Sequence, residues 1–177
     1  MKVLAISASP RIGGNSDILC DQFLKGAADA GHQTEKISLS KMSISPCRAC
    51  YSCGKNHVCV IDDDMAVIQE KLMKADVIVL ATPVYFYCMD AQLKMMIDRC
   101  LPHYLDIKNK RFWLIVTAAD PARSAADATV AGLRGFLDCL PGAEERGILY
   151  GTGAWEKGEI LKLPVMRQAY EEGKAIK

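Results

Sequence analysis

The stretch 2-KVLAISASPRIGGNS-16 joins a short apolar run to a polar loop that contains two glycines. Residues 2–7 have the length and unbroken apolar character of a strand buried on both faces. Directly after the loop, 17-DILCDQFLKGAADA-30 has helical spacing, with Ile18, Leu19, Phe23 and Ala27 on one side, and Gly31 ends the helix. A second strand is expected over 33-QTEKISL-39. Strand, helix and strand in this order form the unit from which parallel sheets are built.

The same alternation continues. Helix 62-DDDMAVIQEKLMKA-75 has an acidic start and Lys71 and Lys74 near its end, as a helix dipole favours. Strand 76-DVIVLAT-82 is closed by 83-PVYFYC-88, and a helix follows over about 90-DAQLKMMIDRCL-101. Strand 112-FWLIVTAA-119, a helix around 123–140, strand 146-RGILYG-151 and a mainly helical tail with Pro164 near a boundary complete the chain. The expectation is an α/β protein with a flavodoxin-like three-layer sandwich. Its five-stranded parallel sheet has the order 2-1-3-4-5, and residues 1–177 form one domain interrupted by a cysteine-rich loop at about 41–64. That loop is too long for an ordinary connection and so is expected to have a function.

The 177 residues carry a formal net charge of +1, which implies neither a nucleic acid nor an anionic membrane surface as partner. No apolar run reaches the roughly 18 residues of a spanning helix, and the opening apolar run is too short for a signal peptide. The default expectation is the cytoplasm, where clustered cysteines serve more often as ligands or redox thiols than as disulfides.

In this fold the loop 9-SPRIGGNS-16 lies at the carboxyl edge of the sheet and opens the first helix, where free N–H groups and the helix dipole suit a phosphate. Ser9, Asn15 and Ser16 offer short donors, Gly13 and Gly14 allow close backbone approach, and Arg11 supplies a guanidinium fork. The loop is neither a Walker A motif nor a dinucleotide fingerprint, and the same residues would also make a plain capped turn. The loop after the third strand, Thr82-Pro83-Val84-Tyr85-Phe86, faces it across the crevice and has aromatics suited to wall a flat heterocycle. Alternatively, those aromatics cover the sheet edge or a subunit contact. In flavodoxin itself this crevice holds flavin mononucleotide (FMN), so the location is taken over from that fold and not deduced.

The segments 7-SASPRIGGNS-16, 83-PVYF-86 and 94-KMMIDR-99 resemble the NADPH-dependent FMN reductase family, over about residues 2–120. The segment 46-PCRACYSCGKNHVCVIDDDM-65 resembles, more narrowly, its iron–sulfur flavoprotein branch and cysteine-bearing relatives. The resemblance implies that Ser9, Arg11, Asn15 and Ser16 bind the FMN phosphate, that Pro83, Val84, Tyr85 and Phe86 border the isoalloxazine, and that the loop around Thr117 closes the site. It also implies NAD(P)H as co-substrate and a homodimer or homotetramer. Lys94, Asp98 and Arg99 read as a solvated or interface ion-pair set.

Cys47, Cys50, Cys53 and Cys59 are spaced C-x2-C-x2-C-x5-C. Three thiolates at three-residue steps can converge on one centre, and by resemblance that centre is a 4Fe–4S cluster. Zinc, disulfides and cofactor-free thiols remain alternatives. Cys20, Cys100 and Cys139 read as buried inert thiols, and Cys88 as packed near the flavin loop.

The resulting expectation is an FMN-dependent NAD(P)H oxidoreductase passing electrons to a quinone, nitro or azo compound or flavin, with no catalytic side chain required. The alternative is an electron relay between flavin, cluster and ferredoxin, without direct nicotinamide oxidation. A signalling receiver would need an acidic pocket where this chain has Ser7, Ala8 and Ser9.

Overall fold

The computed structural model describes all 177 residues. The main strands are β1 (Lys2–Ser7), β2 (Gln33–Ser38), β3 (Val77–Tyr85), β5 (Arg111–Ala118) and β6 (Glu144–Thr152), with a two-residue strand β4 (Cys88–Met89). All neighbours along the path β2-β1-β3-β5-β6 are parallel, so the five long strands stand in the expected order. The helices are α1 (Asn15–Asp29), α2 (Cys53–Asn56), α3 (Met65–Lys74), α4 (Ala91–Asp98), α5 (Asp127–Asp138) and α6 (Val165–Lys174).

Alternate residues of each strand point to opposite faces, and both faces are covered. Leu4 and Ile6 pack beneath α3, α4 and α5 with Ile68, Leu72, Leu93, Met96 and Leu133. Val3 and Ala5 pack beneath α1 and α6 with Leu19, Phe23, Val165 and Ala169. This double burial explains why the strands read as continuous apolar runs.

Two boundaries differ from the sequence reading. Helix α3 begins at Met65, because Asp64 and Asp63 are drawn away to accept the N–H groups of Ser43 and Ser45, at 2.7 and 2.9 Å. Strand β3 continues through Pro83 to Tyr85 and folds back on Cys88–Met89 as an antiparallel hairpin. Its two-residue turn places Phe86 and Tyr87 at φ 50° and 64°, a left-handed pair that such turns usually give to Asn-Gly. Side chains in that region cost about 1–3 kcal/mol each.

Helices α1 and α6 touch backbone to backbone. A Cβ at Gly26 would run into the Tyr170 carbonyl, and one at Gly173 into the Phe23 carbonyl. Gly26→Ala and Gly173→Ala are therefore expected to destabilise by about 1–3 kcal/mol despite the gain in helix propensity. Gly135→Ala, where a Cβ meets nothing, is expected to be neutral or stabilising in the same urea denaturation series.

Candidate functional site

At the carboxyl edge of the sheet, the loops after β1, β3, β5 and β6 enclose a cavity of about 560 Å³, within the range of cofactor pockets. Ser9, Arg11, Asn15, Ser16, Pro83, Val84, Tyr85, Phe86 and Thr117 all line it, so the two loops singled out in the sequence meet at one place.

The β1–α1 end is cationic. No side chain caps α1, and the first-turn N–H groups of Asn15 and Ser16 find no acceptor in the fold. Arg11 and Lys157 stand beside them. The acidic residue of that turn, Asp17, does not oppose an anion there. It accepts the Gly13 N–H at 2.9 Å and pairs with Lys36 at 3.0 Å. Burial pushes the Asp17 carboxyl up, but Lys36 and the Gly13 N–H outweigh it and hold the group below its ordinary value.

Asn15 and Arg11 have a further role. Asn15 Nδ2 donates to the Ala154 and Glu156 carbonyls at 3.2 and 3.0 Å, and its Oδ1 accepts the Gly158 N–H at 3.0 Å. Arg11 Nη1 donates to the Trp155 carbonyl at 3.3 Å. These bonds hold the loop after β6 against the loop after β1, which brings Trp155 and Lys157 into the cavity wall. Lys157 Nζ in turn donates to the Ile12 carbonyl at 2.9 Å. Ser16 Oγ and Thr117 Oγ1 are buried and 2.7 Å apart. One hydroxyl proton joins them, and the other remains for a further acceptor.

The opposite wall is apolar and rigid: Pro83, Val84, Met89 and the aromatic hairpin. Phe86 is 100% exposed and Tyr85 40%, so the mouth offers flat apolar surface to solvent. Beneath the hairpin, Asp90 caps α4 by accepting the Leu93 N–H at 3.1 Å.

The loop around Thr117 brings Ala118 and Ala119 with it, while Met89, Asp90, Ala91, Ala154, Trp155 and Lys157 were not foreseen from the sequence. The segment 153-GAWEKG-158 follows the last strand at the ligand-binding edge, which is a usable signal. Asp90 carried only the signature of a helix cap.

The family model for NADPH-dependent FMN reductase matches residues 1–145. The chain belongs to that family. YwqN of Bacillus subtilis, whose name describes an NAD(P)H-dependent FMN-containing oxidoreductase, is 33% identical over 92% of this chain and 90% of its own. An iron–sulfur flavoprotein of Methanocaldococcus jannaschii is 44% identical over 58% of this chain and 53% of its own. One from Methanosarcina thermophila is 42% identical over 56% and 52%. This FMN reductase family member thus spans about half the length of the iron–sulfur flavoproteins it matches. Among solved structures, an NAD(P)H:quinone oxidoreductase from Methanothermobacter marburgensis shares its fold with a TM-score of 0.79 at 17% identity, over 98% of this chain and 96% of the other.

In this family member the four clustered cysteines are not gathered. Cys47 and Cys50 are exposed, Cys53 and Cys59 half-buried, and no three His, Cys, Asp or Glu side chains stand together as metal ligands. The segment is instead anchored from its flanks. Arg99, 2% exposed, holds Asp63, 5% exposed, with two bonds of 2.7 and 2.9 Å, and donates to the Ser45 carbonyl at 2.6 Å. Arg99 is therefore no solvated pair, whereas Lys94 and Asp98 form an exposed one at 2.6 Å. Cys20 and Cys100 are buried, as read from the sequence, but Cys139 and Cys88 are exposed. Cys139 lies just past the last residue of α5, and Cys88 follows directly on the hairpin turn.

Burial pushes the Asp63 carboxyl up, but the Arg99 guanidinium and the Ser45 and Met65 N–H groups outweigh it and leave it below its ordinary value. A carboxyl depressed in the folded state stabilises at pH above its unfolded value, and that contribution is lost as pH falls through the folded value. Asp63→Ala is expected to cost about 3–5 kcal/mol at neutral pH, since it strands a buried cation. Asp98→Ala should cost under about 1 kcal/mol. Denaturant titrations at pH 7 check both, and the gap between Asp63→Ala and the parent should shrink in acid.

Proposed function

We propose that this chain is an FMN-dependent NAD(P)H oxidoreductase that delivers electrons to a small acceptor, such as a quinone, a nitro or azo compound, or a flavin. The observation that carries the reading is the polarity of one cavity: an uncapped helix N-terminus with Arg11 and Lys157 at one end, and the wall Pro83–Phe86 at the other. FMN has the matching polarity, a phosphate at one end of a ribityl chain and a flat ring at the other. The relative YwqN and the family description support the same cofactor and co-substrate.

In this reading, Arg11, Lys157, Ser9 and the N–H groups of Asn15 and Ser16 hold the phosphate. The Ser16–Thr117 hydroxyl pair turns its remaining proton to the cofactor. Pro83, Val84, Tyr85 and Phe86 would border the ring. When bound, FMN supplies a ring that accepts hydride from a nicotinamide and releases the electrons to the acceptor. Trp155 and Tyr85 present surface against which a second flat molecule can stack. The contiguous exposed aromatics Tyr85, Phe86 and Tyr87 beside the mouth support assembly as a homodimer or homotetramer.

A second reading is a relay through a 4Fe–4S centre on Cys47, Cys50, Cys53 and Cys59, exchanging electrons with ferredoxin. It is supported by the cysteine spacing and the iron–sulfur flavoprotein relatives. The thiols as folded do not fit a shared centre, so no electron path is drawn through them. Iron and sulfide analysis of protein purified without oxygen decides this point.

The first reading predicts that the protein binds FMN, and that anaerobic NADPH or NADH bleaches the flavin absorbance rapidly. Bleaching only by reduced ferredoxin would favour the relay, and a protein that takes up no FMN would overturn both. Arg11→Ala is expected to weaken FMN binding roughly ten- to hundredfold, the worth of one charge-assisted contact. The surface change Arg134→Ala should leave it unchanged. Fluorescence titration of the cofactor-free protein measures each.

A further inference from the structure

We propose that Asp90 is a proton-holding residue of the cofactor cavity, whose buried carboxyl takes up a proton when the cofactor is reduced and gives it up on reoxidation. The proposal rests on the reading that the cavity holds FMN.

Helix caps ordinarily sit in water, where the second carboxylate oxygen is solvated. Asp90 is only 1% exposed, because the hairpin of β3 and β4 folds over it. Its Oδ1 is occupied by the Leu93 N–H at 3.1 Å and lies 3.3 Å from the Thr82 hydroxyl. Thr82 Oγ1 accepts the Asp90 N–H at 3.0 Å, and that clamp fixes the side chain. Asp90 Oδ2 is shut off from solvent and has no hydrogen-bond partner in the protein.

Neither protonation state satisfies that oxygen from within the fold. An ionised carboxylate would carry a buried charge with one oxygen bare. A protonated carboxyl would carry an O–H donor with no acceptor. Asp90 lines the cavity between Met89 and Ala91, so charge that arrives on a ligand there acts on this carboxyl across a wall closed to solvent. Burial pushes the carboxyl up to about 7, against the Leu93 N–H and the Thr82 hydroxyl. The charged and titratable side chains of the packed elements take no part. These are Tyr85 on β3, Tyr87 and Cys88 in the hairpin, Lys94 and Asp98 on α4 and Asp127 on α5. Arg11 and Lys157 at the far end of the cavity take none either. Burial thus outweighs the Leu93 and Thr82 contacts and holds the carboxyl above its ordinary range, and a negative charge arriving in the cavity favours the protonated form further.

The bookkeeping of electrons and protons closes. With FMN bound, hydride transfer from NAD(P)H would bring two electrons and one proton and add one negative charge to the site. Ionised Asp90 takes one proton from solvent and compensates that charge. A quinone-class acceptor then takes two electrons and two protons. One proton returns with the hydride equivalent, the other comes from Asp90, and FMN and the Asp90 carboxylate are regenerated.

Asp90→Asn and Asp90→Ser both keep an acceptor for the Leu93 N–H, so the helix cap survives in each. In cofactor-free protein labelled with 13C-aspartate, one carboxyl is expected to titrate near pH 7 and to be missing from Asp90→Asn. In FMN-loaded protein, spectroelectrochemistry from pH 5 to 9 should show a change of slope near neutrality in the parent, where an additional proton accompanies two electrons. Both variants should lack it. At pH 9, Asp90→Asn should favour reduced over oxidised FMN roughly tenfold more than the parent does. A cap with no proton role would leave the three potential–pH lines parallel. Parallel lines in FMN-loaded proteins, or an Asp90 signal titrating in the ordinary carboxyl range, would overturn this proposal alone. Failure to take up FMN would overturn the oxidoreductase reading, and this proposal with it.

Discussion

Helix α1 starts at the carboxyl edge of the sheet with no side chain folded over its first turn. Gly14 stands at the cap position and has no side chain to offer, and Asn15, the first residue of the helix, is turned toward the loop after β6, where it meets two carbonyls and an N–H group. The site depends on that arrangement. It leaves N–H groups of the first turn pointing at the cavity, and it fixes the loop that carries Trp155 and Lys157. Nearby, the buried contact of Ser16 with Thr117 joins the start of α1 to the end of β5 across the sheet edge. Four loops from distant parts of the chain thus become one wall through a few polar contacts that replace water.

The cavity is electrostatically lopsided. Its β1–α1 end gathers a helix dipole and two cations, and the acid of the helix's first turn, Asp17, is paired with Lys36. Its hairpin end has no cation, an aromatic turn and a single carboxyl pushed toward neutrality by burial. An elongated ligand with a dianionic head and a flat uncharged body is favoured in one orientation only, because reversal would bury the phosphate charge against apolar surface. Rigidity at the hairpin end comes from Pro83 and from the strained turn at Phe86 and Tyr87. That turn holds only because β3 and β4 pair on either side of it.

The cysteine segment is attached by a different device. Asp63 and Asp64 reach back to Ser45 and Ser43, and Arg99 on the C-terminal side of α4 clamps Asp63 and the Ser45 carbonyl together. Both ends of the segment are thereby pinned to the globule beside α4. The four thiols between them are left separate and accessible to different degrees. A buried ion pair of this kind adds little net energy, yet it is costly to break from one side, so it fixes position more than it adds stability.

The strand order was taken over from the flavodoxin-like fold, but the alternation of strands and helices and the parallel sheet were legible in the chain itself. These follow from local periodicity: runs such as 76-DVIVLAT-82 can be buried on both faces only in such a sheet. It also marked the loops of Ser9–Ser16 and Pro83–Phe86, because sheet topology places them on either side of one crevice. Contacts between distant segments, which no local pattern encodes, set Asn15 against a far loop, bring Lys157 and Trp155 into the wall and bury Arg99 against Asp63. The hairpin at Phe86 was hidden because the turn lacks the Asn or Gly that signals it. For Asp90, a helix-cap residue type says nothing of the solvent around it. The burial of its second oxygen is a property of what folds over the cap, and that is set by contacts between residues far apart in the chain.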